Sequence, residues 1–204
     1  MRVFGDFFQH PCGIYIEKKN KISGFIQRKE VKSMAVMKIN NQKDSITGKG
    51  KYKDNHARQD LYAYMMDQKR STQSKKLVHY YIGGSHVDLS NPVQSMEEVA
   101  KKYHKDRGVR LKHIIVSFAE QDNVTAHMIT SAAEEMSQRI GQIYQNFYVV
   151  HEDRRSPHIH MMMNTVSHIN GYKYHPQTDK SWLSKIGADC MDELGVYSFR
   201  VYGR

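Results

Sequence analysis

Cysteine is nearly absent: Cys12 and Cys190 are the only two in 204 residues. Two thiols at that separation make no disulfide framework, and a reducing cytoplasm is expected. Long apolar runs are missing as well. No stretch approaches the ~18 residues of a membrane-spanning helix, so membrane insertion is not expected. The first residues, MRVFGDFFQHPCGIYIEKK, contain no apolar segment of signal-peptide length, and secretion is not indicated. Internal repeats and low-complexity segments are also lacking, which argues against a repeat architecture.

Acidic residues are scarce in one region. Residues 1–76 carry 17 Lys and Arg against 7 Asp and Glu, while the remainder carries 14 of each. The whole net charge of +10 therefore sits in the first third. A solvated basic surface is the plain explanation. Clustering of this kind, interleaved with Tyr15, Phe25, Tyr52, Tyr62 and Tyr64, suits instead a polyanion with stackable bases, that is, nucleic acid. A hydrophobic content of 39% in a chain of this length gives one globular domain with a sizeable core.

Residues 1–33 carry little pattern. They are read as a basic N-terminal extension, open between part of the domain, an added arm, a tail and an upstream in-frame extension. A strand is expected over 34–39, then a polar Lys- and Gly-bearing loop over 40–55. A helix follows over about 56–67, capped by Asp54 or Asn55, and ends in the basic loop QKRSTQSKK. A buried strand over 77–82 is closed by Gly83 and Gly84. Helices are expected over about 93–105, 124–145 and 180–194, with strands over 113–118, 147–150, 159–166 and 196–202. The helix over 124–145 has apolar Ile129, Ala132, Ala133, Met136, Ile140 and Ile143 near helical spacing. Strands alternating with helices argue for a central sheet with helices against it.

The stretch 151–164, HEDRRSPHIHMMMN, concentrates the chemistry. Residues two apart in a strand share a face, so His158 and His160 project together. If the flanking strands pair as a hairpin, the intervening turn brings His151 alongside. With twelve histidines in the chain, a lone His-x-His pair would be unremarkable. A third imidazole on the opposite arm makes a half-shell for a divalent metal, with positions left open for water or substrate. A structural zinc site would normally close with cysteine or a fourth histidine, and the two cysteines are distant in sequence.

The pattern H-x-D-x4-H-x-H-x3-N resembles the third motif of relaxases, the mobilisation nucleases of the HUH endonuclease superfamily, and is closest to the MOBP class. The continuation Asn164-Thr-Val-Ser and the segment from Gly171 to His175 are similar too, and a thinner similarity runs from about Met34 to Leu194. The resemblance implies an α/β (α+β) two-layer HUH-type fold over 34–204, with a central, mainly antiparallel five-stranded sheet and flanking helices. It implies a metal-dependent endonuclease and transesterase that nicks single-stranded DNA at an origin of transfer during conjugative mobilisation. The cofactor would be a divalent ion held by His151, His158 and His160, with Mn²⁺, Mg²⁺ or Zn²⁺ as candidates. The partners would be origin DNA, an accessory DNA-binding protein and a coupling protein, with the chain itself a monomer.

The nucleophile such an enzyme uses is a tyrosine, which attacks poorly unless its proton is removed or its charge stabilised. Tyr64-x-x-Asp67-x-x-Arg70-Ser71 resembles the family's first motif, although Asp67-Gln68 replaces the customary Asn-Pro. Tyr62 lies about 200° round the helix and is the alternative nucleophile, since both cannot face one metal. Tyr80 and Tyr81 are further candidates, and each of these rings could instead be a packing anchor. Asp153 either orients an imidazole, a catalytic part, or caps the turn. Lys49, Lys51, Lys53, Lys69, Arg70, Arg154 and Arg155 are expected at the DNA, and Asn164 is expected to be structural beside the site. Two other functions compete: a rolling-circle replication initiator or transposase of the same superfamily, and a non-enzymatic basic DNA-binding protein with a structural metal.

Overall fold

The computed structural model describes residues 35–40, 51–66, 80–119, 124–151, 157–196 and 199–202. All belong to one compact unit, Val31–Arg204. The expected extension over 1–33 lies outside the described residues.

Among the described residues, ten helices and strands run in the order β1 (Ala35–Asn40), α1 (Ala57–Met65), β2 (Tyr80–Ser85), α2 (Pro92–Lys102), β3 (Leu111–Ser117), α3 (Ala126–Gly141), β4 (Tyr144–His151), β5 (His158–Ser167), α4 (Pro176–Glu193) and β6 (Phe199–Tyr202). A 3₁₀ turn over Lys51–Lys53 precedes α1. The strands form one sheet in the order β2-β4-β5-β3-β1-β6. Every pairing is antiparallel except that of β6 with β1. The fold is thus the expected α+β sheet-and-helix architecture. The family resemblance implied five strands in the sheet; the sixth is β6, within the terminal strand expected over 196–202, and it joins the β1 edge in parallel.

Period-2 alternation sorts the sheet's side chains onto two faces. On one face, Ile114, Val116, Tyr148, Val150, Ile159, Met161 and Met163 join the core built with α3 and α4. Ile129, Met136 and Ile140 of α3 are fully buried there, worth about 1.5–3 kcal/mol each on transfer from water. The opposite face puts Leu111, Phe147, Val149 and Met162 beneath Ala57, Leu61 and Met65 of α1 and Val93 and Met96 of α2. With both faces covered, β5 is buried almost throughout, which explains the uninterrupted Met161-Met162-Met163 run.

Local signals set two of the helix starts. Asn91 caps α2 by accepting the Gln94 amide at 3.2 Å, with Pro92 at the first helical position. Thr125 caps α3 through Met128 N–H. Several boundaries differ from expectation, and three of them have a structural reason. The strand expected to close at Gly83-Gly84 instead continues through both to Ser85. Gly83 serves packing there, because a Cβ at that point would collide with the ring of Tyr148. The long helix stops at Gly141, and Tyr144 and Gln145 already belong to β4, where both are buried. At α1 the cap position falls to His56, whose amide donates to the Asp54 carboxylate at 2.7 Å. The Asn55 side chain accepts from Arg110 instead.

Candidate active site

Strand register assembles the histidines. β4 and β5 pair antiparallel with His151 opposite His158 and Val149 opposite His160. All three imidazoles therefore share the face that carries α1. Their rings lie 4.7–5.1 Å apart between centroids and are steeply inclined to one another, so they converge on a point rather than stack. One nitrogen from each falls within 4.8 Å of the others, close enough for a single ion to reach all three.

The environment of His160 favours a neutral, ligating imidazole. His160 is 3% exposed. Burial first, and then the neighbouring imidazoles of His113, His158 and His151, push its pKa down to about 2. His151, 7% exposed, has Nε2 2.7 Å from the Met65 carbonyl oxygen. A carbonyl can only accept, so Nε2 carries the proton and the lone pair of neutral His151 is on Nδ1. Nitrogen donors of this kind fit a divalent first-row metal.

The helix above supplies the tyrosines. Ala57, Leu61 and Met65 point α1 down onto the sheet, so Tyr62 and Tyr64 fall on opposite flanks. Tyr62 leans on Phe147, centroids 5.5 Å apart. Tyr64 is 55% exposed and stands edge-on to His160 at 5.5 Å and to His113 at 6.0 Å. Of the other tyrosines considered, Tyr81 is exposed on the edge strand β2, and the side chain of Tyr80 lies outside the described residues.

Asn164 lies at full burial, two positions beyond Met162 on the same face. Its amide donates to the Met96 carbonyl and to Gln145 Oε1, both at 3.0 Å, and its oxygen accepts from Arg58 at 3.4 Å. These bonds tie β5 to α1, α2 and β4. Of the basic residues expected at DNA, Lys53 is exposed beside α1. Lys49, Lys69, Arg70, Arg154, Arg155 and the Lys51 side chain lie outside the described residues, as does Asp153.

Two residues enter the site that the motif does not contain. His113 on β3 places Nε2 2.9 Å from His160 Nδ1. Tyr52 places its hydroxyl 3.1 Å from His113 Nδ1. Tyr52 is 6% exposed, which corrects its expected role as a stacking surface for bases. Burial, and secondarily neighbouring Tyr64, pushes its pKa up to about 12, so at neutral pH it is a hydroxyl.

An open imidazole trio on a mainly antiparallel sheet, with an exposed tyrosine over its rim, is the arrangement expected of a nuclease of the HUH type. The chain belongs to the relaxase family: residues 64–196 match the family described as relaxase, MobA/VirD2-like, nuclease domain. A nuclease and transesterase function, single-stranded DNA binding and metal dependence come with that family. No curated protein matches the chain. Among the described residues no helix is long and apolar enough to cross a membrane.

Proposed function

We propose that the chain nicks one DNA strand at an origin of transfer, for conjugative mobilisation, with Tyr64 as the nucleophile. The observation that carries this reading is the half-exposed Tyr64 ring standing edge-on to His160, while Tyr62 is turned away onto Phe147. In this reading His151, His158 and His160 hold a divalent cation. When bound, the cation supplies Lewis-acid polarisation of the scissile phosphate and offsets its developing charge. Nitrogen donors favour Mn²⁺, Zn²⁺, Co²⁺ or Ni²⁺ over Mg²⁺ in affinity, although abundance can still make Mg²⁺ usable.

The Tyr64 oxygen attacks phosphorus and loses its proton to solvent. The bond from phosphorus to the 3′ oxygen breaks, and that oxygen leaves as a 3′ hydroxyl after taking a proton. The 5′ phosphate stays on the tyrosine, so the phosphodiester energy is conserved and the strand can be rejoined by the reverse attack. α1 holds the nucleophile in place through its buried face and through the His151 bond to Met65. Asp153 serves as an orienting carboxylate, and Lys49, Lys51, Lys53, Lys69, Arg70, Arg154 and Arg155 grip the phosphate backbone. A monomer in the cytoplasm, working with an accessory DNA-binding protein and a coupling protein, completes the reading.

The test uses a single-stranded oligonucleotide spanning the nick region of the mobile element that encodes the chain. Wild type and Tyr62→Phe should form a denaturation-resistant adduct linked through a 5′ phosphate, and Tyr64→Phe should form none. An adduct with Tyr64→Phe would remove Tyr64 from this role, and peptide mapping would name the true nucleophile.

A further inference from the structure

A buried row of three side chains leads away from the imidazole trio. His113 is opposite Met162 in the β3–β5 register and hence diagonal to His160 on the same face. Its Nε2 meets His160 Nδ1 at 2.9 Å and its Nδ1 meets the Tyr52 hydroxyl at 3.1 Å. Tyr52 and His113 are 6% and 3% exposed, and burying two polar groups is costly unless they bond. Tyr52 sits in the turn over Lys51–Lys53 and is fixed there by Arg110 N–H donating to its carbonyl at 2.8 Å.

Neutral imidazoles carry one N–H each, so the row can be protonated in two senses. In one, Tyr52 donates to His113 Nδ1 and His113 Nε2–H donates to His160 Nδ1. His160 then carries its own proton on Nε2, and neither nitrogen of that ring can ligate. In the other, His160 Nδ1–H donates to His113 Nε2, and His113 Nδ1–H donates to the Tyr52 oxygen. That sense alone leaves a lone pair on His160 Nε2.

We propose that His113 and Tyr52 are positioning residues of the relaxase site, holding His160 as the Nδ1–H tautomer with Nε2 presented to the cation. This rests on the reading of His151, His158 and His160 as a cation site. His113 acts directly on the ligand, and Tyr52 acts through His113. The row also joins the turn over Lys51–Lys53 to the face that carries the imidazole trio.

The experiment is calorimetric titration of the full chain with Mn²⁺, for wild type, His113→Leu, His113→Gln and Tyr52→Phe, with metal-free melting curves for each. His113→Leu should weaken Mn²⁺ binding about 10–100-fold. His113→Gln keeps an oxygen able to accept from His160 Nδ1–H and should stay close to wild type. Tyr52→Phe should lose less than His113→Leu. Nitrogen-15 NMR of the Zn²⁺-loaded wild type should show His160 protonated at Nδ1, a signature that packing alone would not set. Unchanged Mn²⁺ affinity in His113→Leu, equal loss in His113→Gln and His113→Leu, or a proton on His160 Nε2 would each overturn the proposal. A wild type that binds no Mn²⁺ overturns the cation reading and this one together. Should His113→Leu fail to fold, His113→Gln and the NMR tautomer still decide.

Discussion

Asn164 and His158 lie six residues apart on β5 and carry opposite burdens. Asn164 bonds Met96, Gln145 and Arg58 from one buried amide, so Asn164→Leu removes three buried hydrogen bonds. A loss of about 2–3 kcal/mol in urea unfolding is expected. His158 is half-buried at the rim, and His158→Ala should leave the urea midpoint nearly unchanged while abolishing nicking and weakening Mn²⁺ binding in calorimetry. Undiminished Mn²⁺ affinity in that variant would take His158 out of the shell. His158 was visible in the sequence because spacing by two sets it on one strand face with His160, and Asn164 through its place in the motif. His113 and Tyr52 were not. Their role depends on β3 lying next to β5 and on the Tyr52 turn folding over both, and no local pattern reports such neighbours.

At the level of elements, α1 is held at both ends. Near its start, buried Arg58 pairs with Asp106 at 2.9 Å, and Asp106 also pairs with Arg110. Near its end the Met65 carbonyl accepts from His151. Burial pushes the Asp106 carboxyl up, but hydrogen bonds from Arg110 and Arg58, and their charge, outweigh it and hold the pKa below the ordinary value. A depressed folded-state value gives stability present above the unfolded pKa, near 3.9, and lost as pH falls through the folded one. Asp106→Ala leaves Arg58 buried without its carboxylate and should cost about 3 kcal/mol at pH 7. The urea-midpoint gap between wild type and this variant should hold down to about pH 5 and narrow below about pH 4. A gap independent of pH would detach this carboxylate from the stability of α1. Element identity was largely legible, because α2 opens on Asn91-Pro92 and α3 carries its apolar residues at helical spacing. Ends set by tertiary fit were not, as with Gly83, whose reason is the ring of Tyr148 on the neighbouring strand.

Across the whole molecule, charge is divided more sharply than structure. The +10 excess lies within residues 1–76, much of it in segments flanking α1, the helix of Tyr64. If these segments grip a DNA backbone, single-strand affinity measured by fluorescence anisotropy should fall with salt at a slope near −0.7 per phosphate neutralised. Replacing Lys49, Lys51 and Lys53 with Gln should flatten that slope and weaken binding equally for all sequences. An unchanged slope would return this loop to an ordinary solvated surface. The layering of helices on a sheet followed from the alternation of strands and helices, and the mainly antiparallel sheet from the motif's resemblance, but the parallel β6 edge followed from neither. A short terminal strand gives no sequence sign of which edge it will join.

The β4–β5 pairing has a kinetic corollary. All the candidate ligands hang on two adjacent central strands, 10 residues from first to last along the chain. Opening that one pair would release a bound ion, whereas fraying of β2 or β6 would not. An ion at one hundred times its dissociation constant adds about 2.7 kcal/mol against any opening that expels it. Amide protons of β4 and β5 should then exchange with deuterium roughly a hundredfold more slowly on loading, with the edge strands nearly unaffected. The Met65 link should extend the slowing to the last turn of α1, so that the metal quiets the helix bearing Tyr64 without touching it.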